Sequence, residues 1–353
     1  MAIKNTNKII LFPKLGKYII IFFSIAFILA GLRGYQLFQY IFKENVKSDL
    51  IIIIPENATF RQVVDSLKAK DALINYKAFM WVAKKKDYRE SVKPGRFLFQ
   101  KGMNTNELIN ILRIGKQEPV RVTFNNVRFK EEFAGVISRY LLADSASILQ
   151  LFSDSSLIHE LGFTKETFKA MFIPNTYEVY WTTSPVNFAK RMKIEYGRFW
   201  NNERLKKAGQ LGLAPVEVSI LASIVQEETI KKAEKPVVAG LYINRLKRGI
   251  PLQADPTLKF AIKDFTIKRV LNKHLETDSP YNTYLNTGLP PGPINFPEIS
   301  SIEAVLNYKK HNYLYMCAKE DFSGYHNFSS TLAEHNRNAR RYRNALDSNR
   351  VWK

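Results

Sequence analysis

From Tyr18 to Leu32 the chain reads YIIIFFSIAFILAGL without a charged residue, and after Arg33 the stretch GYQLFQYIF stays uncharged to Phe42. A helix that crosses the hydrocarbon of a bilayer needs about 20 apolar residues. The first block alone is short of that, and Arg33 must reach for the interface with its long stem if the span is to continue. A cleaved signal peptide would place small residues after the apolar block. Here Leu32-Arg33-Gly34-Tyr35 is bulky and basic, which favours an uncleaved anchor. Lys4, Lys8, Lys14 and Lys17 precede the run, and lysines on that side hold the N-terminus in the cytoplasm. The expected arrangement is a cytoplasmic tail over 1–17, a single-pass anchor in the cell (inner) membrane over 18–42, and everything from about residue 44 on the periplasmic or outer face.

This compartment gives the charge its meaning. The 353 residues carry a net charge of +21, a field that attracts nucleic acid, anionic membrane or an acidic polymer. An outward-facing chain does not routinely meet chromosomal DNA, so no nucleic-acid partner is expected. The cell wall and anionic lipid headgroups remain. Cys317 is the single cysteine; it can make no intrachain disulfide and no thiol-based metal site.

After the anchor, the pattern predicts an α+β module over 44–118. SDLIIII reads as a strand and Pro55-Glu56-Asn57 as a turn. A helix follows, with Thr59 as its cap, Gln62 completing a capping box, and Phe60, Val63, Val64 and Leu67 as its apolar stripe. NYKAFMWVAKKK predicts a second helix, GRFLFQ a strand, and NTNELINILRIG a third helix capped by Asn104 or Thr105 and ended by Gly115. The region 119–347 is expected to be a larger, mixed but mostly helical domain, beginning with a strand at VRVTFNN. KEEFAGVISRYL, DSASILQLFSD and NFAKRMKIEYGRFWNNERLKKAG predict helices, MFIPNTYEVYW a strand or ordered loop, and YLYMCA a strand. STLAEHNRNARRYRNAL reads as the closing helix. Leu252 to Pro297 is rich in Pro, Asn, Thr and Gly, an irregular stretch of the kind that often carries function.

In APVEVSILASIVQEETIKK, Pro215 suits a first helical turn. Leu221, Ile224 and Val225 fall at i, i+3 and i+4, and Glu228 at i+7 completes their stripe. Glu228 is therefore expected to point inward, with Gln226 and Glu227 rotated off that stripe and Glu227 facing solvent. An inward glutamate has two uses. It can form a buried ion pair, for instance with Arg245, or it can serve as a general acid, since burial raises its pKa and lets it hold a proton near neutrality. Spacing alone leaves both open. There is no Gly-rich phosphate loop, no nucleophile-elbow serine, and no second histidine to make His159-Glu160 a zinc motif.

Four blocks in order behind the anchor, LASIVQEET, AGLYINRLKRGIPLQADPT, SPYNTYLNTGLPPGPI and HNFSSTLAEHN, resemble the YceG-like endolytic murein transglycosylases. The resemblance is strongest from Pro215 to Asn336. It implies a lytic transglycosylase, needing no cofactor or metal, that cuts peptidoglycan strands between N-acetylmuramic acid and N-acetylglucosamine and leaves 1,6-anhydro ends. Cutting would be endolytic, on nascent strands, beside the cell-wall synthesis machinery. The family's catalytic glutamate falls on Glu228, and its LysM-like wall-binding module on 44–118. The family often has Glu where Gln226 stands, and often reads PDTY where this chain has PNTY, with Asn175 and Tyr177. Substrate-binding candidates are Tyr177, Asn244, Arg245, Gln253, Asp255, Thr257, Tyr281, Asn282, Tyr284, His326 and His335. The competing reading is a non-catalytic, membrane-anchored scaffold that binds peptidoglycan.

Overall fold

The computed structural model describes residues 12–267 and 270–348; Lys4 and Lys8 lie outside them. The described chain forms two compact units. One runs to Pro119 and includes Tyr180–Thr182; the other comprises Val120–Val179 and the chain from Thr183 onward. Both are α+β, and the second is mostly helical.

The first unit opens with one continuous helix, α1 (Phe12–Phe42). Gly16–Phe42 within it is long and apolar enough to cross a bilayer, and its apolar side chains are exposed. Arg33 does not break the helix; its guanidinium donates to Gln36 Oε1 one turn on (2.5 Å). At about 1.5 Å per residue, 27 residues reach about 40 Å, enough to cross the hydrocarbon with Arg33 near one face. Strands β1 (Leu50–Ile54) and β2 (Gly95–Phe99) pair antiparallel, with Ile52 opposite Phe97. Helices α2 (Phe60–Ala69), α3 (Tyr76–Lys85) and α4 (Thr105–Ile114) accompany them. Their ends follow the sequence. Thr59 and Gln62 make the reciprocal capping box, Asn104 rather than Thr105 caps α4, and Gly115 closes α4 at φ +81°. The apolar faces of these elements meet around Ile52, Leu67, Phe79, Phe97 and Leu108, all fully buried.

The second unit begins with β3 (Val120–Phe124), which pairs antiparallel with β4 (Asn175–Val179). Between them lie α5 (Lys130–Ser138), α6 (Ser145–Gln150) and α7 (Ser155–Glu160). The single long helix expected near residue 200 is two, α8 (Pro185–Phe199) and α9 (Asn202–Leu211). Trp200 leaves the helical conformation and Asn201 caps the next helix by accepting from Arg204 N–H. Side-chain oxygens of Asn compete for backbone donors in this way and restart helices.

Next come α10 (Pro215–Glu228), α11 (Lys235–Lys247), α12 (Asp255–Ile262), the single turn α13 (Asn272–Leu275) and α14 (Ile299–Leu306). A hairpin, β5 (Tyr315–Ala318) with β6 (His326–Ser329), leads to α15 (Leu332–Ser348). The stretch expected to be irregular is thus partly helical; Pro256 sits in the first turn of α12, where a missing N–H costs nothing.

Helix α10 is the axle of this unit. Every residue from Val218 to Val225 is buried, with α9, α11, α12 and α14 packed around it. Gly240 admits a further neighbour. A β-carbon there would lie 2.4 Å from the Lys309 carbonyl oxygen, so only glycine lets the 309–311 segment close on α11.

Candidate active site

Glu228 is the last residue of α10, and Thr229 turns the chain into an extended conformation. The carboxyl group therefore sits at the negative end of a helix dipole, an unfavourable place for an anion. It lines a cleft of about 330 Å³, walled by α11, the Leu252–Asp255 segment, Tyr284, β5, His326 and His335. Tyr242, from α11 and 2% exposed, donates its hydroxyl to Glu228 Oε1 at 2.6 Å. Burial pushes the Glu228 pKa up from 4.5 to about 7. The Tyr242 hydrogen bond opposes the rise, and the nearby Asp255 charge adds to it. Desolvation wins, and the acid holds its proton close to neutral pH.

The other side chains of the cleft are fixed by their own partners. The Arg245 guanidinium donates to the Pro251 carbonyl (2.9 Å), the Leu314 carbonyl (2.8 Å) and Gln253 Oε1 (2.5 Å). These acceptors, and not Glu228, occupy it, so the buried-pair alternative is not realised. At 6% exposure it is no surface arginine either. Gln253 is held at φ +52°, a left-handed conformation that costs a non-glycine residue energy and recurs at functional sites. Tyr284 donates to Asp255 Oδ1 at 2.5 Å. Burial and the Asp255 charge hold the Tyr284 hydroxyl far above its usual range.

A second buried carboxylate stands behind the cleft. Glu234, 5% exposed, accepts from the His326 backbone N–H (2.8 Å) and from Thr229 Oγ1 (2.9 Å), and pairs with His326 Nδ1 at 2.8 Å. The carboxylate is an acceptor, which assigns the proton to Nδ1 and gives the His326 ring one orientation. His335 stacks on Tyr315 with centroids 5.5 Å apart. Its buried Nδ1 has no hydrogen-bond partner among the described residues. Burial, with the Arg245 charge, holds its pKa below the ordinary histidine value.

Of the residues singled out in the sequence, Glu228, Arg245, Gln253, Asp255, Tyr284, His326 and His335 share this cleft. The rest do not line it. Asn244 donates to the His311 and Tyr313 carbonyls and braces the chain before β5. Thr257, fully buried, bonds the Ala254 carbonyl and Thr283. Asn282, also buried, ties down the carbonyls of Leu275 and Thr277. Tyr177 sits in the core and donates to the Ile173 carbonyl. Tyr281 lies against Phe260 at the wall of a separate cavity. Short polar side chains in a turn-rich stretch bond their own backbone more readily than a ligand. Thr257 and Asn282 do so, and the Tyr177 phenol takes the same route from the core.

Nor do Gln226 and Glu227 face solvent. Glu227 forms an ion pair with Arg128 (2.6 Å) and accepts from Asn295 Nδ2 (2.7 Å); Gln226 accepts from Glu298 N–H and Ser301 Oγ. Neighbours pack around the helix from Val218 onward and leave no wet face for them to take. Tyr242 is a cleft residue, bonded to Glu228, that motif and spacing do not single out. Its one signal is position: one turn before Leu246 on the inward face of α11, it carries a phenol where an aliphatic residue would pack. Among the described residues no group of three or more His, Cys, Asp and Glu side chains is placed to hold a metal ion.

The profile of the YceG-like family matches residues 52–341. The chain belongs to the YceG-like family. The endolytic murein transglycosylase of Bacillus subtilis (strain 168) is 29% identical over 331 residues, covering 89% of this chain and 90% of that protein. The protein of the same name from Streptococcus pneumoniae (strain D39) is 24% identical, covering 93% of this chain and 66% of its own length. Among solved structures, a YceG-like protein of Listeria monocytogenes is 26% identical with a TM-score of 0.54, over 82% of this chain and 99% of that one.

Proposed function

We propose that this YceG-like chain is a lytic transglycosylase of peptidoglycan, with Glu228 as its catalytic residue. One observation carries the proposal: a carboxyl group enclosed enough to titrate at about 7, yet opening onto a cleft. Protonated Glu228 donates to the oxygen between N-acetylmuramic acid and N-acetylglucosamine as the C1–O bond breaks. The carboxylate so formed then takes the proton of the muramoyl C6 hydroxyl, whose oxygen closes on C1. The product is a 1,6-anhydro ring, the acid is restored, and no water is consumed. Because the nucleophile belongs to the sugar, one carboxyl performs both proton transfers. Tyr242 supports the first transfer by stabilising the carboxylate that it leaves. Arg245 offers positive charge in the cleft, and Tyr284 and Tyr315 offer ring faces to sugars.

The remainder of the chain fits this role. The α1 helix serves as a single-pass anchor with the N-terminus in the cytoplasm and both units on the outer face. The module at 44–118 is LysM-like and binds wall, and the domain at 119–347 carries catalysis. Cutting is endolytic and falls on nascent strands as they leave the synthesis machinery. The relatives' names support the reaction, and the apolar α1 helix supports the anchor.

Digestion of purified glycan strands followed by mass spectrometry of the fragments tests the reaction. Anhydro-muramoyl ends made by the parent and lost in Glu228→Gln are the expected result. Reducing ends would instead make the protein a hydrolase, with Asp255 of the same cleft as its second carboxylate. Equal behaviour of parent and variant would leave only a wall-binding scaffold.

A further inference from the structure

The second unit has another cavity, of about 620 Å³, lined by Phe129, Phe152, Phe260 and Tyr281 and by Lys130, Lys165, Lys169 and Lys263. Glu131 and Glu166 also line it, so its charged side chains sum to two positive charges in excess. Lys169 is the telling member. Its ammonium lies 4.6 Å from the centre of the Phe260 ring, and it has no hydrogen bond or ion pair among the described residues. Burial holds its pKa down at about 8, with the Glu131 charge opposing. A desolvated cation with no acceptor at hydrogen-bond distance is costly in a finished structure. At a binding site it is an anion's place kept open.

Two elements tie this cavity to the catalytic cleft. Helix α12 presents Asp255 to the cleft and Phe260 to the second cavity, about 8 Å apart along its axis at 1.5 Å per residue. The loop after Pro280 does the same with Tyr284 and Tyr281. The two openings are thus about one helix apart, a span that a flexible branch of several residues covers at about 3.3–3.6 Å per residue. Such a branch must be anionic to satisfy Lys169, and must carry aliphatic length to cover four aromatic rings.

We propose that this cavity binds the peptide borne by the glycan strand through a free carboxylate of that peptide, with Lys169 as the inner contact. The proposal rests on the peptidoglycan reading above, since the peptide is the branch that such a strand carries. Lys165, exposed at the rim, attracts the same group. The cavity thereby favours strands with peptides over stripped ones.

Titrating the full-length chain in detergent micelles with a synthetic stem peptide, by calorimetry, tests this without glycan. A saturable heat is expected, weakened about tenfold in Lys169→Met and equally by amidating the peptide's carboxylates, with a smaller loss in Lys165→Met. Binding that ignores Lys169→Met, or that prefers the amidated peptide, overturns the proposal. In strand digestion, the ratio of kcat/KM on peptide-bearing strands to that on peptide-free strands should fall about tenfold in Lys169→Met; an unchanged ratio overturns it too. A parent that binds peptide but cuts no strand would refute the enzymatic reading and leave the cavity assignment standing.

Discussion

Glu228→Gln separates the chemistry of the cleft from its architecture, and the structure sets the size of the effect. In the folded chain Glu228 titrates at about 7, against 4.5 ordinarily. Between those values the native state holds a proton that the unfolded chain has released. Stability from this group is therefore complete below about pH 4.5 and is lost as pH rises through 7. A tenfold difference in proton affinity is worth ~1.4 kcal/mol, so the loss from about pH 5.5 to about pH 8.5 is about 2 kcal/mol. The opening of the cleft to water makes this an upper figure.

Glutamine has no proton to lose, so the variant should not share that loss. Thermal unfolding of parent and variant side by side cancels every other titrating group. Their difference in Tm should change by roughly 4–8 °C across that range, at 2–4 °C per kcal/mol for a domain of this size, with the variant the steadier at high pH. Cleavage by the variant should fall about a hundred- to ten-thousandfold, since a lone acid–base group supplies about 10²–10⁴ of the rate. Parallel stability curves would refute the claim that this carboxyl is desolvated, and with it the reason it can act as an acid.

Three further outcomes follow from the same geometry. Tyr242→Phe removes the hydrogen bond that favours the carboxylate, so the alkaline limb of the pH–rate profile should move up by about one to two pH units, given 1.5–3 kcal/mol for a bond to a charged group; an unmoved limb would remove Tyr242 from the proton's control. Asp255→Asn deletes a negative charge that raises the Glu228 pKa, so the same limb should move down, while abolition of cleavage with the limb unmoved would mark Asp255 as a participant in bond breaking. Gly240→Ala forces a β-carbon to within 2.4 Å of the Lys309 carbonyl and should cost about 1–3 kcal/mol in denaturant unfolding; a neutral result would mean that the 309–311 segment is free to move away.

The parts of the fold legible in the sequence are those with a local cause. Capping residues, the long apolar run of α1 and the apolar runs of β1 and β2 each carry their own instruction, and the helices and strands follow them. Glu228 is legible because seven residues return a helix nearly to the same face. Glu227 is not, because that rule assumes one wet face and α10 has none beyond its first turn. The junction at Trp200-Asn201 is hidden, since an asparagine within a helix and one capping a helix look alike in one dimension. Arg245, Thr257 and Asn282 show the remaining limit. Whether a polar side chain turns toward a ligand or toward the backbone depends on where the chain folds back, as with the distant Leu314 carbonyl for Arg245.

The enclosure of α10 has a consequence for how such a protein can diversify. A helix gripped on every side fixes the depth and angle of its final residue, so the acid is bolted to the frame. The walls opposite it are held by side-chain bonds, Gln253 and the chain before β5 to Arg245 and Tyr284 to Asp255, and can be reshaped by exchanging those partners. New strand preferences can be built there like interchangeable jaws around an unmoving blade.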